Sequence, residues 1–146
     1  LGQMSPMPHI EPDAWDETIL VNLTSVWHQI RHFDLLLRAA PSARVILMSS
    51  AAALGPRAYW GAYAVSKAGI EAMGRAWAAE SEKTKIKINM IDPGGTRTGM
   101  RAAAFPGEDP LTLPTPEDIS PAFVALMRDD CPHHGELIKA RDYIAT

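Results

Sequence analysis

The segment RVILMSS, residues 44–50, is the stretch around which the fold can be read. Four consecutive apolar residues give it the length of a strand, and two serines follow them directly. An apolar run of this length with helical patterns on both sides is typical of a buried strand in a parallel sheet. We therefore predict a central strand here, with Ser49 and Ser50 at its carboxyl end.

A long amphipathic helix is predicted before this strand, over residues 13–40. Its apolar residues recur at spacings of three and four, which forms one continuous stripe. The stripe consists of Trp15, Ile19, Leu23, Val26, Ile30, Phe33 and Leu37. Pro41 ends the helix.

A second helix, strand and turn are predicted after RVILMSS. Residues 60–84 form an alanine-rich helical pattern, and KIKINMID at 85–92 alternates like a strand before Pro93, Gly94 and Gly95. Glycines and prolines within residues 96–114 predict an irregular loop. TPEDISPAFVALM at 115–127 then predicts a capped helix, and GELIKA at 135–140 a last short strand.

This alternation of helices and strands predicts an α/β fold with a parallel sheet and right-handed crossovers. Ligands of such sheets bind at the carboxyl ends of the strands. Two segments occupy that position, namely Ser49 with Ser50 after the first strand and residues 93–98 after the second. The predicted binding site therefore lies between these two segments.

Composition excludes several functional classes. The chain has 146 residues, the size of one domain, with 47% hydrophobic and 21% charged residues and a formal net charge of -3. These values predict no nucleic-acid partner, and no apolar run has the length of a membrane span. The single cysteine, Cys131, cannot form an internal disulfide, so we expect a cytoplasmic protein.

Tyr63 and Lys67 are the residues with the clearest chemical potential. They lie four positions apart on the predicted second helix, so they share one face. An ammonium group near a phenol lowers the pKa of the phenol, which makes the tyrosine a proton donor and acceptor near neutral pH. The pair alone is a weak signal, and Ser50 as a turn cap or Asn22 as a solvated helix residue are the simpler interpretations of those residues taken singly.

The combination is more specific, and it resembles the short-chain dehydrogenase/reductase family. VNLTSVW, VILMSSAAA, YAVSK, INMIDPGGTRT and TPEDI carry the resemblance, which covers essentially the whole chain. It implies a catalytic tetrad of Asn22, Ser50, Tyr63 and Lys67 and an enzyme that interconverts an alcohol and a carbonyl compound with NAD or NADP. Tyr63 would be the acid/base, Ser50 would polarise the carbonyl, Lys67 would assist Tyr63 and hold the nicotinamide ribose, and Asn22 would anchor a water.

The same resemblance implies the remainder of the cofactor site and the partners. Tyr63, Lys67, Pro93, Gly94, Gly95, Thr96 and Thr98 would contact the nicotinamide end of the cofactor. The glycine cluster that binds the pyrophosphate is not found near the start of the sequence, so we expect the back half of a doubly wound, Rossmann-like sheet as a single partial domain over residues 1–146, from a longer enzyme. Helices 13–40 and 60–84 would pair in a homodimer or homotetramer.

Several alternatives remain open at this point. The chain could be a non-catalytic binding or oligomerisation module derived from the same fold, or an inactive fragment that lacks the cofactor-binding half. Cys131, His133, His134 and Glu136 form a short cluster without the spacing of a metal site, and a surface loop is the simpler explanation. Arg57, Arg97 and Arg101 would favour an anionic substrate, but solvated loop arginines are the simpler explanation. Tyr59 and Trp60 lie just before Tyr63 and would wall a substrate pocket.

Overall fold

Three parallel strands form the sheet at the centre of the molecule. The computed structural model describes residues 1–55 and 57–144, in which β1 (Ala43–Met48), β2 (Ile86–Asp92) and β3 (Leu137–Lys139) lie in the order β1-β2-β3. β1 pairs with β2 from Ala43 opposite Ile86 to Met48 opposite Ile91. The predicted α/β fold with a parallel sheet is confirmed.

Helices cover both faces of the sheet because β2 is apolar on both sides. Ile88 and Met90 face α3 (Gly61–Glu80), where Trp77, Ala78 and Ile70 pack against them. Ile91 points the other way, against α5 (Pro116–Met127). Gly74 allows this close packing on the first face, since a Cβ there would collide with the sulfur of Met90.

The predicted helix 13–40 has the expected extent but not a uniform geometry. It consists of α1 (Pro12–Ile19), a π-helical turn (Leu20–Thr24) and α2 (Ser25–Ala39). Asn22 lies at the centre of the π turn, a wider helical geometry that often marks functional sites. Periodicity alone cannot reveal such a turn, because the apolar stripe continues through it.

Two other sequence predictions need correction. The helix predicted over 60–84 ends at Glu80, where a tight turn held by Ser81 and Thr84 leads into β2. The loop predicted over 96–114 contains α4 (Gly99–Ala104) and a 3-10 turn (Pro110–Thr112). Thr98 caps α4 by accepting a hydrogen bond from the Arg101 amide at 3.2 Å, a local bond that the many glycines and prolines obscured.

The last helix begins as its sequence predicts. Thr115 accepts from the Asp118 amide at 3.2 Å, and the Asp118 carboxylate accepts from the Thr115 amide at 2.8 Å. This reciprocal arrangement is the expected capping box, with Pro116 in the first turn. Across residues 1–55 and 57–144, no helix combines the length and the apolar character needed to cross a bilayer.

Candidate active site

The carboxyl ends of β1 and β2 meet at one edge of the sheet. The Ser49 amide donates to the Ile91 carbonyl at 2.8 Å, which continues the ladder one residue past the end of β1. Ser50 therefore lies beside the turn that follows Asp92. The predicted meeting of these two segments is confirmed.

A cavity of about 360 Å³ opens at this edge. Its strand-end side contains Ser50, Asp92 and the turn residues Pro93, Gly94, Gly95, Thr96 and Thr98, and Tyr63 contributes from the first turn of α3. The opposite wall comes from the segments before α3 and along α4, with Arg57, Trp60, Met100, Arg101 and Ala104. One cavity thus holds two of the four predicted catalytic residues and all of the predicted turn residues.

Ser50 both precedes a short turn and lines the cavity. Its hydroxyl oxygen accepts from the Ala52 amide at 3.2 Å, so it caps a short 3-10 turn (Ala51–Ala53) as the simpler interpretation expected. A serine hydroxyl also carries one donor, and the capping bond leaves that proton free. Ser50 can therefore cap the turn and still donate to the Tyr63 phenol or to a ligand in the cavity.

Tyr63 is buried, with 8% of its surface exposed. Burial raises the pKa of Tyr63, a hydrogen-bonding contribution from Ser50 lowers it, and the Asp92 carboxylate raises it further. The pKa lies above its ordinary value, so the predicted lowering is wrong for this structure. The physical reason is that a phenolate in this position loses its hydration and faces a negative charge.

Lys67 lies over the ring of Tyr63, with its Nζ atom 5.6 Å from the ring centroid. The same ammonium group donates to the Met48 carbonyl at the end of β1, at 3.0 Å. Burial lowers the pKa of Lys67. The one-turn spacing therefore brings the two side chains together as predicted, but the ammonium group is bound to the strand end.

Asn22, like Lys67, is a predicted catalytic residue that does not line the cavity. Its amide donates to the Ser66 hydroxyl at 3.1 Å, and Ser66 in turn donates to the Tyr63 carbonyl at 2.7 Å. The π turn and the first turn of α3 are linked by these two bonds. Ser66 was missed by sequence reasoning, because its partner lies 44 residues away.

The turn after β2 presents backbone donors to the cavity. Gly94 has a φ of 69°, in the left-handed region, and its amide donates to Asp92 at 2.9 Å. The next amides, those of Gly95 and Thr96, make no hydrogen bond to the part of the chain that the structure describes. Thr96 is buried and Gly95 half-buried, and buried amides normally find a partner, so these two are candidates for binding a polar ligand group.

Asp92 is a second residue that sequence reasoning missed. It ends β2, lines the cavity and acts on the pKa of Tyr63. The signal was available, because an acidic residue directly precedes the Pro-Gly-Gly turn.

Glu71 is a third residue that sequence reasoning missed, and it connects the site to the core. Glu71 is 1% exposed, and its carboxylate accepts from the Ser49 hydroxyl at 2.6 Å and from Arg75 at 2.8 Å. The link joins the end of β1 to α3, between the two elements that hold Ser50 and Tyr63. Buried charged residues are retained only where such partners exist.

Trp60 and Tyr59, the two aromatic residues before α3, differ in their position relative to the cavity. Trp60 is buried and packs edge-on against Tyr63, with ring centroids 5.7 Å apart, so it walls the cavity as predicted. Tyr59 is 57% exposed and does not line the cavity, contrary to expectation. It has a φ of 71°, which is unusual for a bulky residue, and its carbonyl accepts from the Ser5 amide at 3.1 Å.

The histidine cluster near the C-terminus makes structural contacts. His134 accepts from the Ile88 amide at 3.2 Å through Nδ1, and its Nε2 lies 3.0 Å from the Ala78 carbonyl. His133 pairs with Glu136 at 3.0 Å. These bonds join β2, α3 and the segment before β3.

Comparisons with known proteins agree on one family. The family described as short chain dehydrogenase matches residues 1–109. Uncharacterized oxidoreductase YciK of Escherichia coli is 40% identical over 130 residues, which cover 89% of this chain and 51% of YciK. An indene-carboxyl-CoA reductase of Mycobacterium tuberculosis is 35% identical over 66% of this chain and 37% of its own length. The chain thus spans about half or less of these curated relatives.

Solved structures give the same result. A short chain dehydrogenase from Escherichia coli in complex with NADPH has a TM-score of 0.91 and 37% identity, and one from Shigella flexneri in complex with NADP has a TM-score of 0.91 and 36% identity. Each match covers 97% of this chain and 59% of the other protein.

Proposed function

The chain belongs to the short chain dehydrogenase family, and from this premise we propose that the complete protein is an NAD(P)-dependent oxidoreductase that interconverts an alcohol and a carbonyl group. The observation that carries the proposal is the single cavity that contains Ser50, Tyr63 and the turn at residues 93–98. The substrate carbonyl would lie between the Ser50 and Tyr63 hydroxyls.

Tyr63 is proposed as the acid/base and Ser50 as the group that orients and polarises the carbonyl. A phenol is protonated at neutral pH at its ordinary pKa, and burial raises the pKa of Tyr63 further. The protonated phenol is the state needed to donate a proton in the reducing direction. The free donor of Ser50 suits a carbonyl oxygen. Lys67 and Asn22 are proposed as supporting residues, Lys67 beside the phenol and Asn22 through Ser66.

The residues of the turn fit the nicotinamide end of a dinucleotide. The free amides of Gly95 and Thr96 can donate to a carboxamide oxygen, and the Thr96 hydroxyl makes only long contacts of 3.4 Å to the Pro93 and Gly94 carbonyls. Thr98 lines the same cavity. When bound, the cofactor supplies the hydride. The NADPH and NADP complexes of the structural relatives support NADP(H) in this role.

The finer architecture is also a proposal. We propose that residues 1–146 form one domain that carries the catalytic half of a Rossmann-like sheet, with residues 96–114 on the substrate side. The support is the high structural similarity over 97% of this chain and 59% of the NADPH-bound relative.

Replacement of Tyr63 by phenylalanine tests the proposed activity. Loss of the proton donor should reduce kcat of the complete natural chain by about a hundredfold to ten-thousandfold, with an aldehyde or ketone and NADPH as substrates. Tyr59→Phe is the matched control, because Tyr59 is exposed and lies outside the cavity. Undiminished turnover by Tyr63→Phe would refute the assignment, and a complete chain that binds neither NADH nor NADPH would favour the non-catalytic module.

A homo-oligomer that uses the helices at 12–39 and 61–80 is proposed as the assembly. Large apolar side chains are exposed on these helices, among them Leu20, Val21, Trp27, Leu35 and Val65. Burial of such residues against a second copy would be favourable. Sedimentation of the complete chain at micromolar concentration should show a dimer or tetramer, and a monomer alone would contradict the proposal.

A further inference from the structure

Three arginines come from the segments that surround the cavity, and two of them are already bound by the protein. Arg97 donates to the carbonyls of Pro110 at 2.8 Å and Leu113 at 3.1 Å, and it does not line the cavity. Arg101 lines the cavity but forms a bidentate ion pair with Glu108, at 2.6 and 2.7 Å. The charge of Arg101 is thus balanced without a ligand.

Arg57 differs from both. Its guanidinium lies over the ring of Trp60 at 5.1 Å and near the ring of Phe105 at 5.8 Å. Across residues 1–55 and 57–144, it forms no ion pair and no side-chain hydrogen bond. Two aromatic rings therefore hold a cation at the cavity wall while all its donors stay free.

The position of Arg57 relative to the catalytic residues is defined by Trp60. The face of Trp60 carries the guanidinium, and the same ring packs edge-on against Tyr63 with centroids 5.7 Å apart. A ligand group on Arg57 is consequently separated from the reacting carbonyl by about the width of one aromatic side chain. The wall beside this path contains Met100, Ala104 and Ile119, which suits an apolar body.

The remaining charged residue of the cavity is Asp92. Asp92 ends β2 beside the Tyr63 end of the cavity, where its carboxylate raises the pKa of the phenol. A negative group on a ligand would be repelled there and attracted toward Arg57. The charge distribution therefore orients an anionic substrate with its carbonyl at Tyr63 and its anion at Arg57.

We propose that Arg57 is a specificity-determining residue that binds the carboxylate of the substrate. The substrate class is a carbonyl compound, or the corresponding alcohol, with an apolar body and a carboxylate at its far end. This inference rests on the proposed oxidoreductase function and adds the chemical class of its substrate. Arginine suits the role, because its planar fork binds a carboxylate through two parallel hydrogen bonds.

The test compares a charged probe and an uncharged one of similar shape, para-carboxybenzaldehyde and its methyl ester, with NADPH and the complete natural chain. The wild type should show a kcat/KM for the acid about tenfold to a hundredfold above that for the ester. Arg57→Gln should bring the ratio close to one through a higher KM for the acid, with the ester unaffected. Arg57→Lys should restore part of the preference.

Arg31→Gln is the matched control. Arg31 is also stacked on a tryptophan, with its Cζ atom 5.7 Å from the ring of the exposed Trp27, but it lies on α2 outside the cavity. This variant should leave the ratio unchanged. An equal loss in Arg31→Gln, or an unchanged ratio in Arg57→Gln, would overturn the inference.

A binding measurement separates this inference from the proposed function. Calorimetric titration with benzoate and benzamide in the presence of NADP should show tighter binding of benzoate, and this preference should be lost in Arg57→Gln but kept in Tyr63→Phe. Absence of turnover with both aldehydes would count against the oxidoreductase, and the benzoate titration would still decide the role of Arg57. Equal binding of benzoate and benzamide by the wild type would overturn the inference.

Discussion

Residues 43–92 and residues 93–115 both contribute to the cavity, but they are held in place by different forces. The first segment consists of β1, α3 and β2, and its core residues Ile88 and Met90 have no exposed surface. The second segment follows β2 and is held mainly by polar side chains. Arg97 binds two loop carbonyls, Arg101 binds Glu108, and Arg141 donates to the Gly95 carbonyl at 2.6 Å.

The two segments also contribute differently to the site. Ser50 and Tyr63 lie on the apolar, densely packed segment, where proton transfer benefits from fixed geometry. The second segment lines the cavity with the turn at residues 93–98 and with α4, and the ion pair that holds it is partly exposed to water. Substitutions in this segment should therefore destabilise the fold less than substitutions in the packed strands and α3.

The largest effect on stability that the comparison predicts is at Glu71. Replacement of this buried residue by alanine leaves the Ser49 hydroxyl without its partner, which should lower the free energy of unfolding of the complete chain by about 1–3 kcal/mol. Because Ser49 precedes Ser50, kcat should fall as well. Denaturation in urea and turnover of a carbonyl probe measure the two effects.

Two variants serve as controls for this prediction. Glu71→Gln keeps an oxygen that can accept from Ser49 and should recover most of the stability. Arg75→Gln keeps the Ser49 bond and an amide that can still donate to Glu71, and Arg75 is 49% exposed, so this variant should cost less than Glu71→Ala. If Glu71→Ala were no more damaging than Arg75→Gln, the packed segment would not depend on this link.

The smallest effect is expected at the ion pair of the second segment, and it depends on pH. The Arg101 guanidinium holds the pKa of the Glu108 carboxylate below its ordinary value of about 4.3. A lowered carboxylate pKa contributes stability above the ordinary value, and this contribution is lost as the pH falls through the lowered pKa. The wild type should therefore melt at most about 2 °C above Glu108→Gln at neutral pH.

Acidification provides the check on this second prediction. Thermal melting of both proteins from pH 7 downward should show the difference in Tm shrinking once the pH drops below about 4. A difference that persisted in acid would mean that Glu108 acts through packing and not through its charge. If Glu108→Gln lowered Tm as much as Glu71→Ala does, the two segments would depend equally on their polar contacts.

The sequence by itself determined the order of the elements, the parallel sheet and the helix cap at Thr115. These features depend on apolar periodicity and on groups a few positions apart, which a single sequence displays directly. The spacing of Tyr63 and Lys67 on one helical face is of the same kind. Short-range geometry of this sort changes little with the surroundings.

Only the tertiary structure decided the environment of each site residue. The pairing of Asn22 with Ser66, the rise in the pKa of Tyr63 and the action of Asp92 on that pKa all join separate elements of the chain. The same is true of the contrast between Arg57, stacked on rings with its donors free, and Arg101, neutralised by Glu108. The burial, the distances and the charge balance of these side chains arise when remote segments pack together. A local sequence pattern therefore cannot predict them.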